Sequence, residues 1–333
     1  MSARKRVVFV GASGFGAQCA ELARAIPGVE LAGIVTAPRQ FAISYSEQPV
    51  TNVLHADFEK LAQAWGVPHV VMQGSAKHPQ LLETLRGWRP DMFLVVGWYH
   101  VVPRAWRDLA PAYGMHASLL PAYRGGAPLV WAMINGEREA GITFFKLDEG
   151  IDSGEIVGQR AVPILLNDTI ATLYTRIEEA GRGILADTLP GLIAGTCPHH
   201  KQDLDSGTVM PQRAPADGAI DWGRGSLDIY NFIRAQTRPY PGAFTHLDGQ
   251  RIHIWQARLF DDGRQAQRGS SLEGGEILGH VSEGPLKGVL VAARNGDHSL
   301  LITEASDAAG AQIDLADGGR QWSQASPTRR FTQ

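Results

Sequence analysis

Two residues in this sequence are well suited to move a proton between bound reactants, His116 and Asp152. His116 lies near the start of GMHASLLPAYRGGAPLVW, residues 114–131, where a strand-like stretch gives way to a loop rich in proline and glycine. Asp152 follows 36 positions later, in the acidic, glycine-containing loop DEGIDSG at 148–154. Imidazole titrates near neutral pH, so it can take up a proton and return it within one cycle. A loop carboxylate brought beside it would orient the ring, fix its tautomer and stabilise the imidazolium. Taken singly, such a histidine is a packed turn residue and such a loop a solvated surface. Their worth as chemistry depends on the chain bringing them together.

A second candidate is the glycine turn GASGFG, which contains Gly11, Ser13, Gly14 and Gly16. Two roles fit it. The turn could hold a pyrophosphate on a helix N-terminus, with Arg39 after the second strand meeting a 2′-phosphate, as in an NADP-dependent reductase. Alternatively, the glycines only permit a tight turn and close helix–sheet packing. The spacing departs from G-x-G-x-x-G and no ribose-binding acid ends the second strand, so packing is the expected role. Cys197, His199 and His200 sit close together without further ligands at metal-site spacing, and no metal is expected.

Several elements must position these groups. RVVFV at 6–10 reads as a buried parallel strand, 17–25 as a helix and 30–36 as a second strand, a βαβ unit. Residues 37–58, including Arg39, Gln40, Tyr45 and Ser46, form a long polar loop placed to meet an acceptor or simply to be solvated. MFLVVG at 92–97 is a further buried strand. The runs 142–147 and 155–159 bracket the Asp152 loop, and Asp168 and Thr169 cap a helix running toward Ala194, with Pro190 ending or kinking it. Residues 201–216 read as a linker. Beyond them come a helix at 227–235 and short strands, with Asp248-Gly249 and Asn295-Gly296 as hairpin turns. The fold class is thus α/β, with a Rossmann-like domain over 1–200, a smaller β-barrel-like domain over 217–316 and a tail over 317–333 without apolar periodicity.

Composition narrows the partners. The 333 residues carry a net charge of −3, and 201–333 hold 14 Lys and Arg against 16 Asp and Glu. No basic field exists to draw in nucleic acid or an anionic membrane. Two cysteines make no disulfide framework and suit a reducing compartment. The apolar run at Val7–Val10 is too short for a signal peptide or a membrane span, so a cytoplasmic protein is expected.

The segment H-x-S-L-L-P-x-Y-R-G, the G-I-T at 141–143 and D-x-G-x-D-x-G at 148–154 resemble the 10-formyltetrahydrofolate-dependent formyltransferases. That family includes methionyl-tRNA formyltransferase and the sugar N-formyltransferases. The second domain is similar too, in AIDW at 219–222 and in IRAQTRPYPG at 233–242. The resemblance implies a Rossmann-like formyltransferase domain followed by an OB-like one. It implies formyl transfer to a primary amine of a small metabolite, a nucleotide-linked amino sugar being the leading acceptor, with His116 as base and Asp152 as its partner. The folate co-substrate would lie along Val95, Val96, Gly97, Trp98, Tyr99, His100 and Val101, and along Leu147, Asp148, Glu149, Gly150 and Ile151. Trp98 and Tyr99 fit either pterin stacking or core packing. Gly11, Ser13, Tyr45, Arg124 and Gly125 would meet the acceptor, and a homo-oligomer is compatible with the pattern.

One position departs from the family. Its usual Asn-x-His places an amide to steady the oxyanion, whereas this chain has Gly114. Loss of such a donor costs on the order of 10²–10³ in rate when nothing replaces it. Ser118, His100 or a backbone N–H freed at Gly114 could substitute. Alternatively the chain is a 10-formyltetrahydrofolate hydrolase, or a folate-binding relative without turnover.

Overall fold

The structure, a computed structural model, describes residues 4–41, 50–261, 273–282, 287–294, 298–315 and 330–333. It separates into two compact units. The first comprises 1–128, 139–163 and 175–212, and the second 129–138, 164–174 and 213–333. Residues 201–212, read in the sequence as linker, therefore group with the first unit.

In chain order the first part runs β1 (Lys5–Val10), α1 (Gly14–Ala25), β2 (Val29–Thr36), the short β3 (Gln40–Phe41) and β4 (Val50–Thr51), α2 (Phe58–Trp65), β5 (His69–Val71), α3 (Pro79–Trp88) and β6 (Met92–Val95). There follow α4 (Arg104–Arg107), β7 (Ala112–His116), β8 (Arg124–Gly125), α5 (Pro128–Ile134), β9 (Glu139–Lys146), β10 (Ile156–Pro163), α6 (Ile170–Ala194) and β11 (Val209–Met210). The main sheet has the order β10-β9-β7-β6-β1-β2-β5. Its strands from β7 to β5 are parallel, and β9 and β10 join antiparallel at one edge.

The β-branched run of β1 has Val7 to Val10 fully buried, as expected of a strand covered on both faces. Val8 and Val10 join Val35, Phe93, Val95, Leu85 and Trp106 in one core cluster. Helix α1 begins a turn before the expected Ala17, because Ser13 Oγ accepts the Gly16 N–H at 3.1 Å and caps it. Helix α6 runs through Pro190 to Ala194 instead of stopping there. The expected irregular loop after β2 contains the paired strands β3 and β4 among its described residues.

The second unit contains α7 (Ser226–Gln236) and β12 (Ala243–Leu247), β13 (Gln250–Phe260), β14 (Ile277–Val281), β15 (Gly288–Val291) and β16 (Ser299–Asp307). The strands form an antiparallel sheet in the order β12-β13-β16-β15-β14. Asp248 and Gly249 both adopt positive φ, 51° and 77°, as a two-residue hairpin turn requires. The Asn295-Gly296 turn lies outside the described residues, as does most of the tail. Residues 330–333 are described, and they are not loose. Thr332 bridges His246 of β12, Arg330 bridges Glu276 beside β14, and Phe331, 1% exposed, stacks on Trp222. The end of the chain thus connects the two edges of the sheet and gives it a barrel-like closure.

Candidate active site

His116 is the last residue of β7, a strand flanked by β6 and β9. Its position there follows from the sheet, and its orientation follows from the loop after it. Nε2 lies 2.8 Å from the Tyr123 carbonyl oxygen, which can only accept, so Nε2 carries the hydrogen and donates. Nδ1 faces Asp152 Oδ2 at 3.5 Å. The two residues separated by 36 positions therefore meet, both of them mostly buried. That spacing exceeds a direct hydrogen bond and fits an ion pair that forms when the ring takes a proton.

Asp152 is held in turn. The same Oδ2 accepts the Gly125 N–H at 2.9 Å, and Asp152 has φ 49°, a left-handed conformation uncommon outside glycine. Asp148 tightens the loop by accepting from Gly150 N–H at 3.0 Å and Ser153 Oγ at 2.7 Å.

The loop from His116 to Gly126 is braced by groups the sequence did not single out. Thr143 Oγ1, fully buried on β9, donates to the Ser118 carbonyl and accepts the Leu120 N–H. Gln159 donates to the Leu120 carbonyl and to Thr143 Oγ1. The visible signal for Thr143 was the G-I-T segment. Gln159 carried none.

Of the expected replacements for the missing amide, two are already committed elsewhere. Ser118 is 4% exposed and its Oγ donates to the Ala122 carbonyl at 2.7 Å. Gly114 is buried and paired on both sides, to Val95 and to Phe145, so its backbone N–H lies in the plane of the sheet and not toward the site. A side chain at 114 would start 3.0 Å from Leu147 Cδ2, so leucine occupies the neighbouring space. His100 differs. Its Nε2 is buried without a hydrogen-bond partner, as is Trp98 Nε1. Burial lowers the His100 imidazole below its usual value, so the ring is neutral at pH 7.

The expected folate segments flank these residues. Val95 and Val96 are buried in or beside β6, whereas Val101 is 86% and Ile151 60% exposed. Leu147 and Trp98 pack at the edge of the same core cluster. An Arg104–Glu149 contact of 3.7 Å joins the second segment to α4, just beyond the first.

The acceptor residues fare unevenly. Arg124 and Gly125 lie in the loop after His116, and Arg124 Nε is buried without a partner. Gly11 and Ser13 do not present groups to a substrate. Gly11 is buried with its N–H on the Val35 carbonyl, Ser13 is 3% exposed with its hydroxyl on the helix cap, and Ala12 and Gly14 N–H groups are taken by Gly97 and Leu54 carbonyls. A Cβ at Gly11 or Gly16 would sit 2.5 Å from the Val96 carbonyl oxygen. The turn is packed backbone against backbone, and the Gly11, Ala12, Gly14 and Gly16 N–H groups are all taken within the protein, which favours the packing role over a pyrophosphate cradle. Tyr45 lies outside the described residues. His199 contacts Tyr113 Oη at 3.3 Å and the Cys197 carbonyl at 3.1 Å. Among the described residues no cluster of three or more His, Cys, Asp or Glu is placed to hold a metal ion, and no helix is long and apolar enough to cross a membrane.

Known proteins match both parts of the chain. A family model described as formyl transferase matches residues 5–189, and one described as formyl transferase, C-terminal domain, matches 213–320. Among solved structures, an N-formyltransferase from Helicobacter canadensis, in complex with folinic acid and dTDP-3-aminofucose, is 17% identical with a TM-score of 0.62. The match covers 90% of this chain and 99% of that one. HypX from Aquifex aeolicus in complex with tetrahydrofolic acid is 16% identical with a TM-score of 0.60, covering 94% of this chain. The match takes in 46% of HypX, so the chain spans about half the length of that relative. A methionyl-tRNA formyltransferase from Clostridium thermocellum is 19% identical with a TM-score of 0.53, over 78% of this chain and 95% of that one. At these identities the likeness is one of fold.

Proposed function

This chain belongs to the formyl transferase family of enzymes, and from that premise we propose that it transfers the formyl group of 10-formyltetrahydrofolate to a primary amine on a nucleotide-linked amino sugar. The observation that carries this reading is the meeting of His116 Nδ1 and Asp152 Oδ2 at 3.5 Å. The acceptor nitrogen attacks the formyl carbon and a tetrahedral oxyanion forms. His116, whose Nε2–H is held by the Tyr123 carbonyl, takes the amine proton on Nδ1. The Asp152 carboxylate offsets the charge the ring then carries. The carbon–nitrogen bond to the folate breaks as the oxyanion collapses, and the folate nitrogen leaves with a proton returned to it.

The exposed apolar side chains of Val101 and Ile151 suit the flat faces of a pterin, whose polar edge would meet backbone groups of the two segments. His100, the one remaining donor among the expected replacements, is the candidate for the oxyanion. For the acceptor, support comes from the unpartnered Arg124 Nε, a cation suited to phosphate. The near-neutral charge of the chain disfavours a polynucleotide.

One other reaction of the same folate is hydrolysis, with water in place of the amine; it passes through the same tetrahedral oxyanion, so Gly114 is compatible with either. Incubation with 10-formyltetrahydrofolate and a panel of nucleotide-linked amino sugars, read by mass spectrometry, separates them. A formyl mass gain on a sugar, with slow formate release when no sugar is added, is the expected result. Rapid formate release with no formylated sugar identifies a hydrolase.

A further inference from the structure

We propose that residues 202–212, the segment after α6, form part of the catalytic centre, with Thr208 and Gln202 as positioning residues for His116 and Asp152. The inference rests on the functional reading above for what the pair does, but its geometry stands independently.

Thr208 grips the turn after His116 three times. Its Oγ1 accepts the Tyr123 N–H at 2.8 Å, its carbonyl accepts the Arg124 N–H at 2.9 Å, and its own N–H donates to the Pro121 carbonyl at 3.2 Å. The peptide unit joining Tyr123 to Arg124 is the important one. Its N–H is fixed by Thr208, and its carbonyl is the group that receives His116 Nε2–H. A peptide is planar, so fixing one end aims the other. Tyr123 holds φ 56° there, a conformation a bulky residue keeps only when its surroundings impose it. The next peptide unit supplies the Gly125 N–H that holds Asp152. Consecutive peptides thus serve the base and its carboxylate, and both are paired to β11 through β8.

Gln202 acts on Asp152 from its other side. Its Nε2 donates to the Asp152 carbonyl at 2.9 Å and to the Gly154 carbonyl at 2.6 Å, bridging the left-handed turn. The two segments fit without room for side chains. A Cβ on Gly125 would lie 2.6 Å from the Met210 carbonyl oxygen, on Gly126 2.6 Å from Gln212 Cα, and on Gly207 2.6 Å from the Pro121 carbonyl oxygen. A connection that merely spans two elements does not need such closeness.

The test uses the full chain with ¹⁵N-labelled histidine, His116 being assigned by the signal lost in His116→Asn. NMR reads the ring tautomer and its titration in wild type, Thr208→Val, Thr208→Ser and Gln202→Leu, alongside turnover of 10-formyltetrahydrofolate. Wild type should show the Nε2–H tautomer. Thr208→Val and Gln202→Leu should each mix the tautomers or shift the titration, and lower kcat about 10- to 100-fold with folate affinity unchanged. Thr208→Ser, which keeps the hydroxyl, should restore the wild-type signature. A wild-type His116 signature in both Thr208→Val and Gln202→Leu overturns the proposal, whatever their melting temperatures. Should Thr208→Val fail to fold, Gln202→Leu decides on its own. Absence of folate turnover in the wild type would defeat the functional reading while leaving the ring signatures able to decide this one.

Discussion

His116 spends one ring nitrogen on a backbone carbonyl and keeps the other facing a carboxylate. That division makes the effect of Asp152 testable by a change of one atom. Asp152→Asn retains the shape but replaces a negative charge with an amide, leaving a protonated ring without its counter-charge. Turnover should fall about 10²- to 10⁴-fold while folate binding by calorimetry stays near wild type. Cys19 is fully buried in α1, and burial pushes its thiol up to about 12. The neutral thiol favours the folded state at every pH below the ordinary value of 9.0, and that contribution is lost as pH rises toward about 12. At pH 8 a thiol reagent should leave Cys19 unlabelled in the native protein and label it after denaturation. That His116 and Asp152 would meet was legible in the sequence through the family-like segments around them, not through the two residues taken singly. The role of Ser118 was not legible, since nothing in a serine's neighbours tells whether its hydroxyl faces a substrate or a carbonyl four residues on.

At the scale of elements, the decisive structure is a loop that makes little regular structure of its own. Residues 116–126 take their shape from Thr143 and Gln159 on the sheet and from β11 beyond α6. Gly125 carries φ 90° and meets the Met210 carbonyl, so a methyl group there is both strained and crowded. Gly125→Ala should destabilise the protein by about 1–3 kcal/mol in guanidinium unfolding and reduce turnover with it. The βαβ start, the strand at 92–97 and the helix toward Ala194 could be read directly, because buried runs and caps are local signals. The glycine turn left two roles open until its donors could be followed to Val35, Leu54 and Gly97. The role of 201–212 could not be read, since polar, glycine-containing sequence looks the same whether it is solvated or packed edge to edge.

Across the whole molecule, the chain has two units with separate cores. The second depends on residues far from its strands. Phe331, read in the sequence as part of a tail, joins Ile220, Trp222, Ile254 and Leu300 in that core. Phe331→Ala should cost about 3–5 kcal/mol of the second unit's stability. It should lower its melting transition without moving the His116 ring signals. A single aromatic after a polar stretch gives no periodic signal, which is why a barrel-like domain could be expected over 217–316 but the part Phe331 takes in it could not.

In the proposed mechanism His116 and Asp152 act together on the one-carbon unit of a bound folate. Its most direct test is the rate at which formyl leaves 10-formyltetrahydrofolate at saturating folate, in wild type and in His116→Ala, with folate affinity measured in parallel. A loss of about 10²- to 10⁴-fold with affinity preserved is expected. Turnover in His116→Ala equal to that of wild type would contradict the mechanism.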